Sequence, residues 1–246
     1  FIDKSFSGVG RFLLSGVPEG CDALLVAETL ATRPDDAVHL HIARDAKRMA
    51  EMTEALSFFA PAIRVVSVPA WDCLPYDRVS PNREVVSRRI DALTYLAHRA
   101  ELGAHRQLVV LTSVNAVLQR VPARKVIADA ARRFAIGERI DVDELAGFFN
   151  RNGFERVGTV REAGEYAVRG GILDIFPPGN DMPIRIDLFG DEIEALRVFD
   201  AATQRSSETI TEFSLKPASE VFLDEDSIAR FRTGYREAFG NITDDP

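Results

Sequence analysis

The hydrophobic and polar positions of this chain follow one rhythm in the first half and another in the second. Asp22–Thr32 (DALLVAETLAT) spaces its apolar residues as a helix does, VHLHIA at Val38–Ala43 is a short apolar strand, and Arg44–Ala60 returns an apolar residue every three to four positions. Ile63–Val68 is β-branched and strand-like, and Asn82–Arg99 is a strongly amphipathic helix. Gln107–Ser113 (QLVVLTS) reads as a buried strand, after which Ser113 caps a short helix through Gln119. Strand–helix–strand alternation of this kind predicts a parallel sheet with helices on both faces.

After about Arg132 the period shortens. Asp141–Asn150 (DVDELAGFFN) is a helix with acidic residues in its first turn, ended by Asn152-Gly153. Short strands then crowd together at Arg156–Val160, Glu165–Val168, Ile172–Phe176, Ile184–Phe189 and Ile193–Phe199, joined by turns that carry PPGND and GDE. This pattern predicts an α+β module built on an antiparallel meander. From Phe213 a further strand leads to a helix over Asp226–Phe239.

Composition narrows the function classes. With 246 residues, 46% of them hydrophobic, the chain has enough apolar material for one large core or two ordinary ones, and charged residues at 28% form no long block of one sign. The net charge of −8 disfavours a surface built mainly to grip nucleic acid. No apolar run has the roughly 18 residues of a membrane helix, FIDKSFSGVG has no signal-peptide core, and Cys21 and Cys73 form neither a CxxC nor a zinc pattern, so a cytoplasmic setting with free thiols is expected. The start on Phe1 and the end in NITDDP suggest a piece of something longer.

Catalytic patterns are thin. Ser15–Glu28 (SGVPEGCDALLVAE) has the glycine punctuation of a phosphate loop at Gly16 and Gly20, but Gly20, Cys21 and Asp22 stand where a lysine and a hydroxyl would hold phosphate and magnesium. A carboxylate at a helix N-terminus satisfies the dipole itself and repels phosphate, so ATP binding is not expected there. His39, His41, His98 and His105 are not spaced as a metal set, and there is no GxSxG or HExxH. Trp71 reads as a packing anchor.

Three blocks are specific in combination: PAWDCLPYDRVSPNREVVSRRIDAL, then VVLTSVNAVLQRV, then GEYAVRGGILDIFPPG with PIRIDLFGDEIEALRVFDAATQRS. Together they resemble the N-terminal region of the bacterial transcription-repair coupling factor (Mfd) family, itself similar to domains 1a, 2 and 1b of UvrB. The resemblance implies an α/β fold: a doubly wound, UvrB domain 1-like part with a degenerate phosphate loop over residues 1–131 and 214–246, and an inserted domain 2-like meander over 132–213. It further implies a non-catalytic module that recruits UvrA of nucleotide excision repair to stalled RNA polymerase. No cofactor is expected in this region; in the longer parent, ATP and magnesium would serve a DNA translocase, and RNA polymerase and DNA would be bound elsewhere. Tyr76-Asp77 leads through Ser80-Pro81 straight into a helix, leaving no room for UvrB's damage-clamping hairpin. Two alternatives stand beside this reading: a nucleotide-binding UvrB-like ATPase, and an autoinhibitory module docked on the C-terminal part of the parent.

The resemblance also implies docking residues. Arg156 in FERV, Arg169 in AVRG and Arg185 in IRID match arginines of UvrB's UvrA-binding surface, with Asp187 and Phe189 beside them; one UvrB arginine falls on Ala167, and a UvrB aromatic falls on Leu188. Alternation along PIRIDLF puts Ile184, Ile186 and Leu188 on one face and Arg185, Asp187 and Phe189 on the other. The bland reading of Arg185 and Asp187 is an ordinary surface ion pair, and that of Arg156 a solvated strand-end charge.

Overall fold

The computed structural model describes residues 9–74, 78–101 and 107–240, so Tyr76-Asp77 and His105 lie outside the described residues. The fold is mixed α/β, in two compact units, residues 1–121 and 122–246.

In the first unit, α1 (Cys21–Ala31), β1 (Val38–Ala43), α2 (Ala46–Phe59), β2 (Arg64–Val68), α3 (Arg83–His98), β3 (Leu108–Ser113) and the short α4 (Val114–Val117) follow in order. The three strands form a parallel sheet of order β1-β3-β2. Central β3 is buried at all six positions, which is why LVVLTS carries no polar alternation: a strand covered on both faces has no solvent side to mark. Val109 and Leu111 pack under α1 and α2 with Ala23, Leu30, Met52 and Leu56, while Leu108, Val110 and Val66 pack with Ala92 of α3. Helix starts are fixed by side chains: Asp45 accepts from the Arg48 N–H, Asn82 from Glu84 and Ser113 from Ala116. The fully buried Arg89 of α3 ties down the segment after β2, donating to the Pro69 carbonyl and to Gln119, with its guanidinium 5.4 Å from the Trp71 ring centre. Edge strand β1 leaves Val38, Leu40 and Ile42 about half exposed, on the α3 side of the sheet by their register with Leu108, Val110 and Thr112.

In the second unit, α5 (Arg124–Asp129), β4 (Arg132–Ala135) and α6 (Val142–Arg151) precede the meander: β5 (Glu155–Arg156), β6 (Glu165–Arg169), β7 (Ile172–Ile175), β8 (Ile184–Phe189), β9 (Glu192–Phe199) and β10 (Ser206–Ile210). β11 (Glu212–Leu215) and α7 (Glu225–Phe239) follow. The meander is a six-stranded sheet of order β10-β9-β8-β7-β6-β5, antiparallel except where β5 runs parallel to β6. Asp141 starts α6 by accepting from the Asp143 and Glu144 N–H groups, and the helix lays Leu145 and Phe149 on the sheet against Tyr166, Leu173, Ile186 and Leu196. β4 and β11 pair antiparallel and add Phe134, stacked on Phe213, and Leu215 to the same core. The resemblance implies a layout in which residues 1–131 and 214–246 form one part; the compact units of the structure divide at 121/122, and β11 pairs with β4 in the second of them.

Candidate functional site: a charged sheet face

One face of the six-stranded sheet packs on the main core, and the other carries charge beside a small buried cluster of Val160, Ala167 and Phe199. On β8, Ile184 and Ile186 are buried and Leu188 packs against the same core, so the inward assignment of Leu188 holds. Arg185, Asp187 and Phe189 alternate to the opposite face. On β6, Tyr166 and Val168 point inward while Ala167 and Arg169 point away. The register sets Ala167 beside Asp174, Asp174 beside Arg185, and Arg185 beside Arg197. Four consecutive strands thus gather Arg169, Asp174, Arg185, Asp187 and Arg197 on one face.

Asp174 is the centre of this group and is fully buried. Arg185 grips it with a fork, Nε donating to Oδ1 at 2.7 Å and Nη2 to Oδ2 at 3.0 Å. Arg169 donates to Oδ2 from its own Nη2. The remaining Nη1 of Arg185 lies 3.4 Å from the Gln204 carbonyl and from Ser206 Oγ, and the guanidinium sits 4.7 Å from the Phe199 ring centre. Hydrogen bonding to Asp174 raises the already high pKa of Arg185, against the opposing effect of its burial. The surface ion pair of Arg185 with Asp187, the bland reading of these two residues, does not form: Asp187 pairs instead with Arg197, at 2.7 Å. Asp187 stands opposite Ala195, so Arg197 is its diagonal neighbour across the strands, within reach of a long side chain, while Arg185 is already engaged in the fork on Asp174.

Exposure separates these residues. The side chains of Arg169 and Arg197 are 47% and 46% exposed and that of Arg185 only 15%, while Phe189 stands 79% exposed at the end of β8. Gly171 sets the approach of β8: a Cβ there would come 2.9 Å from the Leu188 carbonyl oxygen. Its own carbonyl accepts from the Leu188 N–H at 2.8 Å, beside the register shift between Asp187 and Leu188. Arg156 is not part of the group. β5 has only two residues, and its register sets Arg156 beside Tyr166, whose ring is in the core, so Arg156 is an exposed charge on the other face at the sheet edge.

Sequence reasoning passed over Arg197 and, of more consequence, Asp174. Its signal was present in ILDI: a carboxylate at an alternating position of an apolar strand must be paired if it is buried, and the flanking strands carry arginine on that same face.

In the first unit, Gly16 and Gly20 both take left-handed backbone conformations, and Cys21 opens α1 as an exposed, free thiol. Asp22 occupies the helix N-terminus: its Oδ1 accepts from the Ala23 N–H at 3.0 Å and its Oδ2 from Arg48 at 2.6 Å. Arg48 also holds Glu51, at 3.0 Å. The Asp22 carboxylate thus accepts from one N–H of the first turn of α1 and pairs with a guanidinium from α2. Among the described residues no group of three or more His, Cys, Asp or Glu could hold a metal ion, and no helix is long and apolar enough to cross a membrane.

Comparison with known proteins agrees with the sequence blocks. The family described as the UvrB interaction domain matches residues 133–221, the meander and its charged face. The chain is 34% identical over 242 residues to the transcription-repair-coupling factor of Haemophilus influenzae, covering 95% of this chain and 20% of that protein. To the protein of the same name from Escherichia coli it is 35% identical over 227 residues, covering 92% and 19%. To that of Mycobacterium tuberculosis it is 36% identical over 211 residues, covering 84% and 17%. The chain therefore spans about a fifth of the length of these relatives, and the resemblance read from its motifs is borne out.

Proposed function

From a chain that matches transcription-repair-coupling factors along nearly its whole length, we propose a partner-binding module that recruits UvrA to stalled RNA polymerase, docking it on the charged face of the six-stranded sheet. The observation that carries the reading is the coincidence of the UvrB interaction domain, residues 133–221, with the strands that gather Arg169, Arg185, Arg197 and the exposed Phe189 on one face. Guanidinium groups beside an exposed aromatic are the side chains that most often anchor protein interfaces. In this reading the region is non-catalytic. The first unit, with helices on both faces of three parallel strands, is a doubly wound, UvrB-like domain whose phosphate loop has given way to the Asp22–Arg48 pair. Polymerase contact and ATP-driven movement on DNA belong to parts of the longer relatives outside this chain.

Titration calorimetry of UvrA into the chain tests the reading. The wild type binds, and Arg169→Gln, which removes a half-exposed charge yet can still donate to Asp174, weakens binding by about tenfold or more while its circular dichroism stays that of the wild type. Equal affinity of the folded variant would remove this face from the proposal.

A further inference from the structure

Asp174 cannot meet a partner, since its side chain has no exposed surface. It nevertheless brings a charge between Leu173 and Ile175, in the interior of a strand, where an isolated carboxylate would be strongly disfavoured. Its two guanidinium partners are not equivalent. Arg185 is turned inward: Nε and Nη2 close the fork on Asp174, Nη1 faces the Gln204 carbonyl and Ser206 Oγ, and the Phe199 ring lies beneath. Arg169 gives Nη2 to the same carboxylate yet keeps nearly half of its side chain in solvent. One carboxylate between two guanidinium groups leaves a net charge of +1. Because the Asp174–Arg185 fork balances internally, that charge is expressed at Arg169.

We propose that Asp174 is a positioning residue of the docking face: anchored by Arg185, it holds the Arg169 guanidinium in one orientation at the surface, ready to meet a carboxylate of the partner. An arginine tethered in this way loses less side-chain freedom on binding than a free one, and its remaining donors suit a planar, charge-assisted contact. The inference rests on the reading of this face as the UvrA-docking surface.

A double-mutant cycle on the whole chain, with UvrA affinity as the readout and circular dichroism as the check on folding, tests it. Arg169→Ala and Asp174→Asn each weaken UvrA binding by about tenfold or more. Combined, they are no weaker than Arg169→Ala alone, because Asp174 acts only through Arg169. A folded Asp174→Asn that binds as wild type, or one that loses the same further factor in the Arg169→Ala background, overturns the proposal; the second result would mark Asp174 as a general support of the sheet. Where Asp174→Asn does not fold, Arg185→Lys takes its place, keeping the charge but breaking the fork, and the same two results decide. Failure of the underlying reading is distinguishable. If wild type binds UvrA and Arg169→Ala binds equally well, the positioning role falls while UvrA binding stands on another surface; if wild type does not bind UvrA, both fall.

Discussion

At the scale of single residues, two carboxylates define what the chain does with charge. Asp174 is buried and held by two arginines; such a site contributes little net stability compared with an apolar strand, yet removing one partner would leave an uncompensated charge inside. Asp22 lies at the opening of α1, bonded to the Ala23 N–H and to Arg48. Because that anion seat is already filled and neutralised, MgATP leaves the melting temperature of the chain unchanged. A ligand at about one hundred times its Kd would add about 2.7 kcal/mol to the native state, so a rise of several degrees in a thermal melt would restore the nucleotide-binding reading. Gly171 shows the same economy on the backbone. A side chain there would press on the Leu188 carbonyl, so the glycine pair of AVRGG is needed to bring β8 against the turn after Arg169.

At the scale of elements, the histidines of β1 carry a pH dependence. His39 and His41 alternate onto the face covered by α1 and α2, beside Val109 and Leu111 of β3. Burial lowers the pKa of His39, helped by neighbouring His41; burial also lowers that of His41, with Asp22 pulling it up and Arg48 pushing it down. A base whose folded pKa lies below its unfolded value takes up more protons when unfolded. The contribution of these two groups is therefore fully present above the ordinary histidine value of 6.5 and is lost as pH falls below it toward the folded pKa. Urea midpoints of the chain at pH 7.5 and 5.5 check this. The midpoint falls at the lower pH, and His39→Gln narrows the gap; an unchanged midpoint would contradict the assignment.

The same scale shows what the sequence could and could not reveal. Strands with one buried face were legible from alternation, as in IRIDLF, where the inward set Ile184, Ile186 and Leu188 is the set the core uses. Central β3 was legible as an unbroken apolar run. β4, α5 and β10 were not. β10 (SSETI) is exposed at four of its five positions, and its pairing with β9 comes from hydrogen bonds rather than from any apolar pattern. β5 shrank from an expected five residues to two because it pairs with only one neighbour at the edge of the sheet. In the candidate site Arg169 and Arg185 were legible one by one, through the resemblance, and Arg197 was not. Their grouping was not, since the link between Arg169, Arg185 and Asp174 runs across three strands and is set by register, which no single strand's pattern contains.

At the scale of the whole molecule, the division at 121/122 separates a parallel α/β unit from the unit that carries the charged sheet face. The second unit holds its own core, with Phe134, Phe149, Tyr166, Ile186 and Leu215 in one cluster. A chain cut to residues 122–246 therefore keeps its far-ultraviolet dichroism, melts cooperatively and binds UvrA within a few-fold of the whole chain. Loss of binding in a folded fragment would show that the first unit contributes contacts. A full-length relative that bound UvrA markedly more weakly than this chain would instead favour the autoinhibitory alternative.

The open flank of β1 has a consequence of another kind. Edge strands in natural sheets are commonly guarded by lysine, proline or a bulge, which discourage another strand from adding on. β1 carries none of these, and Val38, Leu40 and Ile42 stand in a row about half in solvent. As concentration rises, this flank offers chains a place to meet edge to edge, and the chain's net charge of −8 opposes that only at short range at physiological salt, where charge repulsion fades within about 8 Å.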